Sequence, residues 1–486
     1  MIRLGQRISL GGFIAALGSR ELEVLPQVRD RIVAAREIVD AAARGTAPVY
    51  GLNTGLGANL GHRIASTDIE AFQRKLVEGR AVAVGPPLAE PAGRAVLLAR
   101  LIGVAQGHSG MSLAIFDHLC DAWTRGLVPV VPRYGSIGAA DLTQNAVWAL
   151  ALLGTGQVRL DDAVLEASDA LARVNLKPPP LASKDGLALI NHGGLSVALA
   201  GIALAETRTA LRMMRAAAVL SFQGYGANPG IFASEINNLR HAPGQTEAAA
   251  WFLAALGNTK GSRIQDALSF RQLAPMFGAA SDAVSRAIQI WEDELNGASD
   301  NPVVIGVNAM QSTPNFHAPA LMLALEQVSL AMAMLGQGAV MRMQRLMDPD
   351  LTGLPRYLSA HGGANAGFVP MQKTAAALLA DMRRHAMPAS FDPAPVSEGV
   401  EDIASHTPLT ALKLAEQAQP AQLLSGMEAL VACQAIDLRD SVKPPLHNLI
   451  RAQVRFQDDD RALGADIDTV CIVLRAFAEQ EPDGGE

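Results

Sequence analysis

Apolar residues recur at every third or fourth position through most of this chain, with charges gathered between them. Residues 24–44, VLPQVRDRIVAAREIVDAAAR, give the plainest case. One apolar stripe and one charged face mark an amphipathic helix. The same spacing predicts helices over 91–107, 142–153, 196–222, 244–256, 275–296, 318–346, 370–385 and 408–438. Pro420 lies inside the last and predicts a kink or break, because proline has no N–H to donate and its ring crowds the preceding turn. Alternation with period two is confined to stretches near 7–9 and 156–160, the two predicted strands. The pattern is that of a mainly α protein with few short strands.

Glycine and proline cluster between these helices, at 51–61, 85–92, 132–138, 177–180, 191–194, 224–230, 361–367 and 387–399. Loops on a rigid scaffold are where positioned chemistry usually sits. No internal repeat or low-complexity tract interrupts the chain. A soft boundary near 190 separates an N-terminal helical domain, 1–190, from a long-helix bundle with a C-terminal tail, 191–486. The final EQEPDGGE is expected to fray.

Size and charge narrow the picture. A chain of 486 residues suggests about three domains or one large intertwined unit. Hydrophobic residues make up 49% and charged residues 18%, which predicts that much of the surface is covered, as when apolar helices pack inside an oligomer. A net charge of -7 and 4% aromatics give no case for nucleic acid. Cys120, Cys433 and Cys471 form no CxxC and no disulfide ladder, so a reducing cytoplasm is expected. The N-terminus, with acidic residues soon after a short apolar patch, reads as mature protein and not as a signal peptide. The apolar stretch 196–222 is interrupted by Glu206, Arg208, Arg212 and Arg215, which predicts a bundle helix and no membrane span. No metal cluster, phosphate loop or Ser-His-Asp order is present.

Several runs carry candidate chemistry. Tyr50 opens YGLNTGLG; Asn191 follows GLALI; Gln265 opens QDALSFR, which ends on Arg271. Glu294-Leu295-Asn296 precedes Ser299-Asp300-Asn301-Pro302, and Pro314-Asn315-Phe316-His317 follows. Then come GANAGF at 363–368, MQKTAAALLADMRR with Lys373 as the lone cation at its start, and Glu401-Asp402. Each has a plain reading. Tyr50 suits a tight turn, Asn191 a helix N-cap, Arg271 an interhelix salt bridge and Phe316 core packing. Lys373 suits a snorkelling surface cation, and Glu401 a solvated acidic loop.

Together and in this order, over roughly 45–410, the runs resemble the aromatic amino-acid ammonia-lyases, the histidine and phenylalanine ammonia-lyase family. The resemblance implies a long-helix bundle of the fumarase/aspartase and histidine ammonia-lyase type. It also implies a homotetramer with sites shared between subunits. Tyr50 would be the base that takes the substrate's β-proton, in a loop whose Asn53 would bind substrate. Asn191, Gln265 and Arg271 would bind substrate, with the arginine fork on its carboxylate. Phe316 would wall the substrate ring, and Glu401 would face it. Where histidine lyases carry S-H-x-x-G-V-G, this chain has Gly79-Arg80-Ala81-Val82-Ala83-Val84-Gly85. Arg80 there is placed to bind a ring substituent or to pair with an acid. Leu268 replaces the family's tyrosine, and His192-Gly193-Gly194 replaces Gly-Thr-Gln, which suggests a remodelled pocket.

One departure outweighs the others. The family's G-S-V-G-A-S-G-D-L loop cyclises its Ala-Ser-Gly into methylidene-imidazolone, an electrophile. Here the loop is Gly135-Ser136-Ile137-Gly138-Ala139-Ala140-Asp141-Leu142, one residue shorter and without the serine. Ser109-Gly110 and Ser425-Gly426 are the only Ser-Gly pairs. The first belongs to a stretch the family keeps beside an intact electrophile, and the second lies in a helical run. No such prosthetic group is expected at Ala139-Ala140, and no other cofactor or metal. Ammonia leaves poorly without that electrophile, whereas a quaternary trimethylammonium leaves as a neutral amine. That logic points to the ergothionase-like members of the family, which eliminate trimethylamine from ergothioneine and give thiourocanate. Tyr50 would take the proton, and Glu401 with Lys373 or Arg80 would bind the thioimidazole ring. A lyase on another betaine or aromatic amino acid, and a non-catalytic amino-acid-binding homologue, remain alternatives.

Overall fold

The computed structural model describes residues 1–55, 61–65, 68–261, 263–306, 309–390, 395–439 and 442–481. The mainly α expectation is met, and the helices with apolar periodicity form within a few residues of their predicted limits. They include Pro26–Arg44, Pro91–Ala105, Gly194–Tyr225, Leu273–Leu295, Pro319–Leu346 and Thr407–Arg439. The last runs unbroken through Pro420, so the predicted break does not occur. Its buried residues crowd both sides of the proline, Ala418 and Ala421 among them, and packing on that scale outweighs one missing backbone bond. Helices Ile69–Glu78, Leu113–Thr124 and Gly464–Glu479 go beyond the predicted set. Of the tail EQEPDGGE, residues 482–486 lie outside the described residues.

The chain divides into two compact units built from interleaved segments. Unit 1 is Met1–Ala205, Ile288–Leu323 and Ala389–Leu412; unit 2 is Glu206–Ala287, Ala324–Pro388 and Lys413–Glu486. The expected boundary near 190 falls inside unit 1.

Unit 1 holds the short strands. Gln157–Leu160 pairs antiparallel with Leu127–Pro129 and Ala163–Glu166, as predicted for 156–160. The other predicted strand moves: Ile2–Leu4 pairs in parallel with Leu22–Val24. Ile8 instead gives its N–H to Asn296 Oδ1 at 2.8 Å and accepts from Asn296 Nδ2 at 2.9 Å. An asparagine side chain thus takes the place of a partner strand. Helix Pro91–Ala105 is buried from Ala92 to Ala105, two arginines included. Arg94 lies over the Trp123 ring at 3.7 Å, and Arg100 forks onto Asp300 at 2.8 and 2.9 Å. Burial would raise the Asp300 carboxyl, but the charge and hydrogen bonds of Arg100 outweigh it and bring it down to about 2.

Unit 2 buries an aromatic cluster. Tyr225 stacks on Phe270 at 4.2 Å, and Phe232 stacks on Phe252 at 5.2 Å. Arg342 donates to both oxygens of Glu428, at 2.6 and 2.9 Å, with both side chains at most 1% exposed. Among the described residues, two helical stretches, Asp185–Tyr225 (with the Asn191 turn inside it) and Pro319–Leu346, are long and apolar enough to cross a membrane. The most apolar window of the first is 94% buried inside the protein, the burial expected of a core helix.

Candidate active site

The tyrosine loop is fixed from beneath. Leu52 is fully buried against Ala35, Val39 and Val304, and Gly51 takes a positive φ of 64°, a conformation glycine adopts without strain. Asn53 accepts from Val49 N at 2.7 Å and donates to Ala47 O at 2.8 Å. Both ends of its amide are engaged inside the loop. Asn53 therefore braces the loop that Tyr50 opens. Leu56 and Gly57, the end of the motif, lie outside the described residues.

Three expected site residues come together here. Arg80, just past helix Ile69–Glu78, is half-buried and donates to Leu76 O at 3.2 Å. Burial lowers its guanidinium below the ordinary value, while the charges of Tyr50 and Glu401 pull the other way. Glu401 is itself held by Ser397 Oγ at 2.6 Å. The site thus sets a cation beside the phenol and the carboxylate.

Asn191 caps the C-terminal end of Asp185–Ile190 and does not begin the next helix, so the N-cap reading fails. Its Nδ2 donates to Asn301 O at 2.9 Å. Gly193 N donates to Ser299 Oγ at 3.3 Å, and a Cβ at Gly193 would meet Phe316 O at 3.4 Å. The Ser299–Asn301 and Phe316 segments therefore abut the asparagine turn, with Phe316 half-buried. His192 is a correction. It is 1% exposed, accepts from Gly194 N at Nδ1 (3.0 Å) and meets Leu189 O through Nε2 (3.1 Å). Burial, reinforced by Arg100, brings it down to about 3. It is a neutral turn brace and not a pocket wall.

The shortened loop is pinned on every side. Ala140 and Asp141 both have positive φ, 64° and 52°. Ala140 O accepts from Asn145 Nδ2 at 3.2 Å and His192 N at 3.3 Å. Asp141 is fully buried, accepting from Ser136 Oγ at 2.5 Å and from Ser196 N and Oγ at 2.7 and 3.0 Å. Ile137 O accepts from His406 N at 2.8 Å, and a Cβ on Gly138 would collide with Ser405 Oγ. The Ala139-Ala140 pair offers neither the hydroxyl to eliminate nor the glycine amide to cyclise. These residues do not fit a methylidene-imidazolone.

Gln265, Arg271 and Lys373 belong to unit 2, and all three are exposed. Arg271 Nε donates to Asp266 O at 2.9 Å. Its neighbours Ile264 and Leu268 stand 104% and 62% exposed. Lys373 lies in the first turn of Met371–His385. The loop before that helix is latched by Asp460, which accepts from Ala366 N at 2.6 Å and Gly367 N at 2.9 Å. Sequence reasoning missed this latch, although the acidic run 458–460 was visible. It also missed Asp141 as the organiser of the shortened loop. Among the described residues no group of acids, histidines and cysteines has metal-ligand geometry.

Known proteins resemble this chain over nearly its whole length. Residues 9–455 match the family model for aromatic amino acid lyase. The histidine ammonia-lyase of Myxococcus xanthus is 34% identical over 463 residues, covering 92% of this chain and 91% of the relative. Among solved structures, the ergothioneine-degrading ergothionase of Treponema denticola, in complex with desmethyl-ergothioneine sulfonic acid, superposes with a TM-score of 0.93. It is 27% identical, with 99% of this chain and 100% of that one covered. The histidine ammonia-lyase of Trypanosoma cruzi gives 0.89 at 29% identity, with 98% and 94% covered.

Proposed function

Because this chain belongs to the aromatic amino acid lyase family, we propose that it is a carbon–nitrogen lyase that eliminates trimethylamine from ergothioneine and releases thiourocanate. One observation carries the proposal. Tyr50, Asn191 and Glu401 match the family's motifs and Arg80 adds a cation near the tyrosine and the glutamate, while the loop that would supply the electrophile ends in Ala139-Ala140. The similarity to the Treponema ergothionase supports the same choice of substrate.

The Tyr50 phenolate takes the β-proton, the C–H electron pair becomes the Cα=Cβ bond, and the Cα–N bond breaks. Nitrogen leaves as neutral trimethylamine with its own pair, so no proton need reach it and no electrophile need capture it. Asn191 and Arg271 are assigned to the carboxylate, and Gln265 to substrate binding, as the family resemblance implies. Glu401, with Arg80 or Lys373, engages the thioimidazole ring, and Phe316 stacks on it. Charge that develops on the ring meets groups already oriented, which lowers the barrier without reorganisation.

Arg80 has a second effect. A cation beside a phenol favours phenolate. Arg80→Gln is therefore expected to shift the acid limb of the kcat/KM–pH profile upward. An unmoved limb with a raised KM would leave Arg80 as a ring ligand alone.

Histidine is the competing substrate, since it is what the 34% identical relatives are named for. Two measurements separate the readings: the amine released, trimethylamine or ammonia, and the intact mass. The proposal requires a mass equal to that of the unmodified chain. Loss of two waters would reveal a cyclised electrophile and overturn it.

We further propose a soluble, cytoplasmic homotetramer whose sites are shared between subunits. Leu323, Leu330 and Met334, at 63%, 59% and 44% exposure, line one side of Pro319–Leu346 at spacings of seven and four. That is the seam of a helix that packs on other helices. Leu330→Glu with Met334→Glu is expected to yield a smaller species by light scattering and to abolish turnover. A tetramer with full activity would contradict the assignment.

A further inference from the structure

The loop of Tyr50 and the turn of Asn191 are joined by one side chain that none of the sequence runs quoted above contains. Gln73 is fully buried in the middle of helix Ile69–Glu78. Its Nε2 donates to Gly51 O, the residue after Tyr50, at 3.2 Å. Its Oε1 accepts from Leu187 N at 3.0 Å, inside the short helix Asp185–Ile190 that ends at Asn191. The two helices touch where this happens: a Cβ on Gly186 would collide with Gln73 O. Seven residues on, Arg80 leaves the end of the same helix for the Tyr50 and Glu401 charges. Two turns apart, the positions share one face.

We propose that Gln73 is a positioning residue that sets the distance between the base and the carboxylate-binding asparagine. The inference rests on the roles proposed for Tyr50 and Asn191. Gly51 O and Leu187 N both take Gln73 as their partner, and a buried amide or carbonyl left unpaired costs free energy. A primary amide of this length meets both demands at once, with one donor and one acceptor. Without it the tyrosine loop keeps its internal braces, Asn53 and Thr54, but loses this tie to the asparagine turn. A displacement of about 1 Å at a reacting group can cost on the order of a hundredfold in rate.

The test compares Gln73→Met, Gln73→Glu and Tyr50→Phe with wild type, by kinetics on ergothioneine and by amide hydrogen exchange. Gln73→Met is expected to lower kcat about a hundredfold with KM within about threefold. It should also speed exchange at residues 49–55 and at Leu187 while the protected core stays unchanged. Gln73→Glu, which burial keeps protonated, supplies the same donor and acceptor and should restore most of kcat. A Gln73→Met enzyme that is less heat-stable but turns over as fast as wild type would overturn the proposal, because it would show a merely structural role. So would unchanged exchange at both segments, and that readout holds even if no betaine is turned over. Failure of the catalytic assignment itself would appear separately, as activity in Tyr50→Phe.

Discussion

Tyr50→Phe is expected to fold and assemble as wild type and to lose turnover by on the order of a hundredfold to ten-thousandfold, the range carried by a positioned general base. The substitution removes one oxygen and leaves the ring. The features that shape the loop do not depend on that oxygen: Leu52 in its apolar seat, Gly51 at positive φ and the Asn53 amide bonds. Melting temperature and circular dichroism should therefore match wild type while product formation vanishes. Folded Tyr50→Phe protein with more than about a tenth of wild-type kcat would move the base elsewhere. His192, the histidine beside the asparagine turn, is no substitute, because both of its nitrogens are committed to backbone.

The largest expected effect on stability is at Glu428→Ala. Glu428 is fully buried in Thr407–Arg439 and receives two hydrogen bonds from Arg342, itself 1% exposed. Removing the carboxylate strands a guanidinium in the core, which costs about 3–5 kcal/mol. Replacing both partners by apolar residues, Arg342→Met with Glu428→Leu, should recover much of that loss, since no charge is then left unpaired. Denaturant unfolding read at unit 2, through Trp251 fluorescence, gives the comparison. A loss below about 1 kcal/mol for Glu428→Ala would mean that water or a neighbouring acid reaches Arg342.

The fold was legible because its helices carry their own period. Pro26–Arg44 and Pro319–Leu346 lie within two residues of their predicted limits, since an apolar stripe at helical spacing survives any tertiary context. Ile69–Glu78 escaped although its amphipathic spacing is plain in AFQRKLVEG; so short a stripe offers few repeats to tell it from a loop. The strand expected at 7–9 failed because Asn296, distant in sequence, takes the backbone groups of Ile8. Long-range partners of that kind leave no local pattern.

The site divides in the same way. Residue identity singled out Tyr50, Asn191 and Arg271 as candidates, and the missing serine is what motivates the proposed chemistry. The jobs of the polar side chains were less visible. Asn53 reads as a ligand in a string of letters and His192 as a sign of a remodelled pocket, and both bond to backbone beside them. Gln73 and Asp141 look ordinary, yet each ties together segments tens of residues apart. A hydrogen bond needs a partner's position as well as a donor, and only the fold supplies that.

Purified protein mixed with ergothioneine, and in a parallel cuvette with histidine, gives the most direct test of an elimination that proceeds without an electrophile. The ultraviolet band of the conjugated product is followed in both. The expected result is growth of the thiourocanate band from ergothioneine, with release of trimethylamine, and no urocanate from histidine. Urocanate from histidine would show that ammonia leaves despite Ala139-Ala140 and would contradict the proposed chemistry.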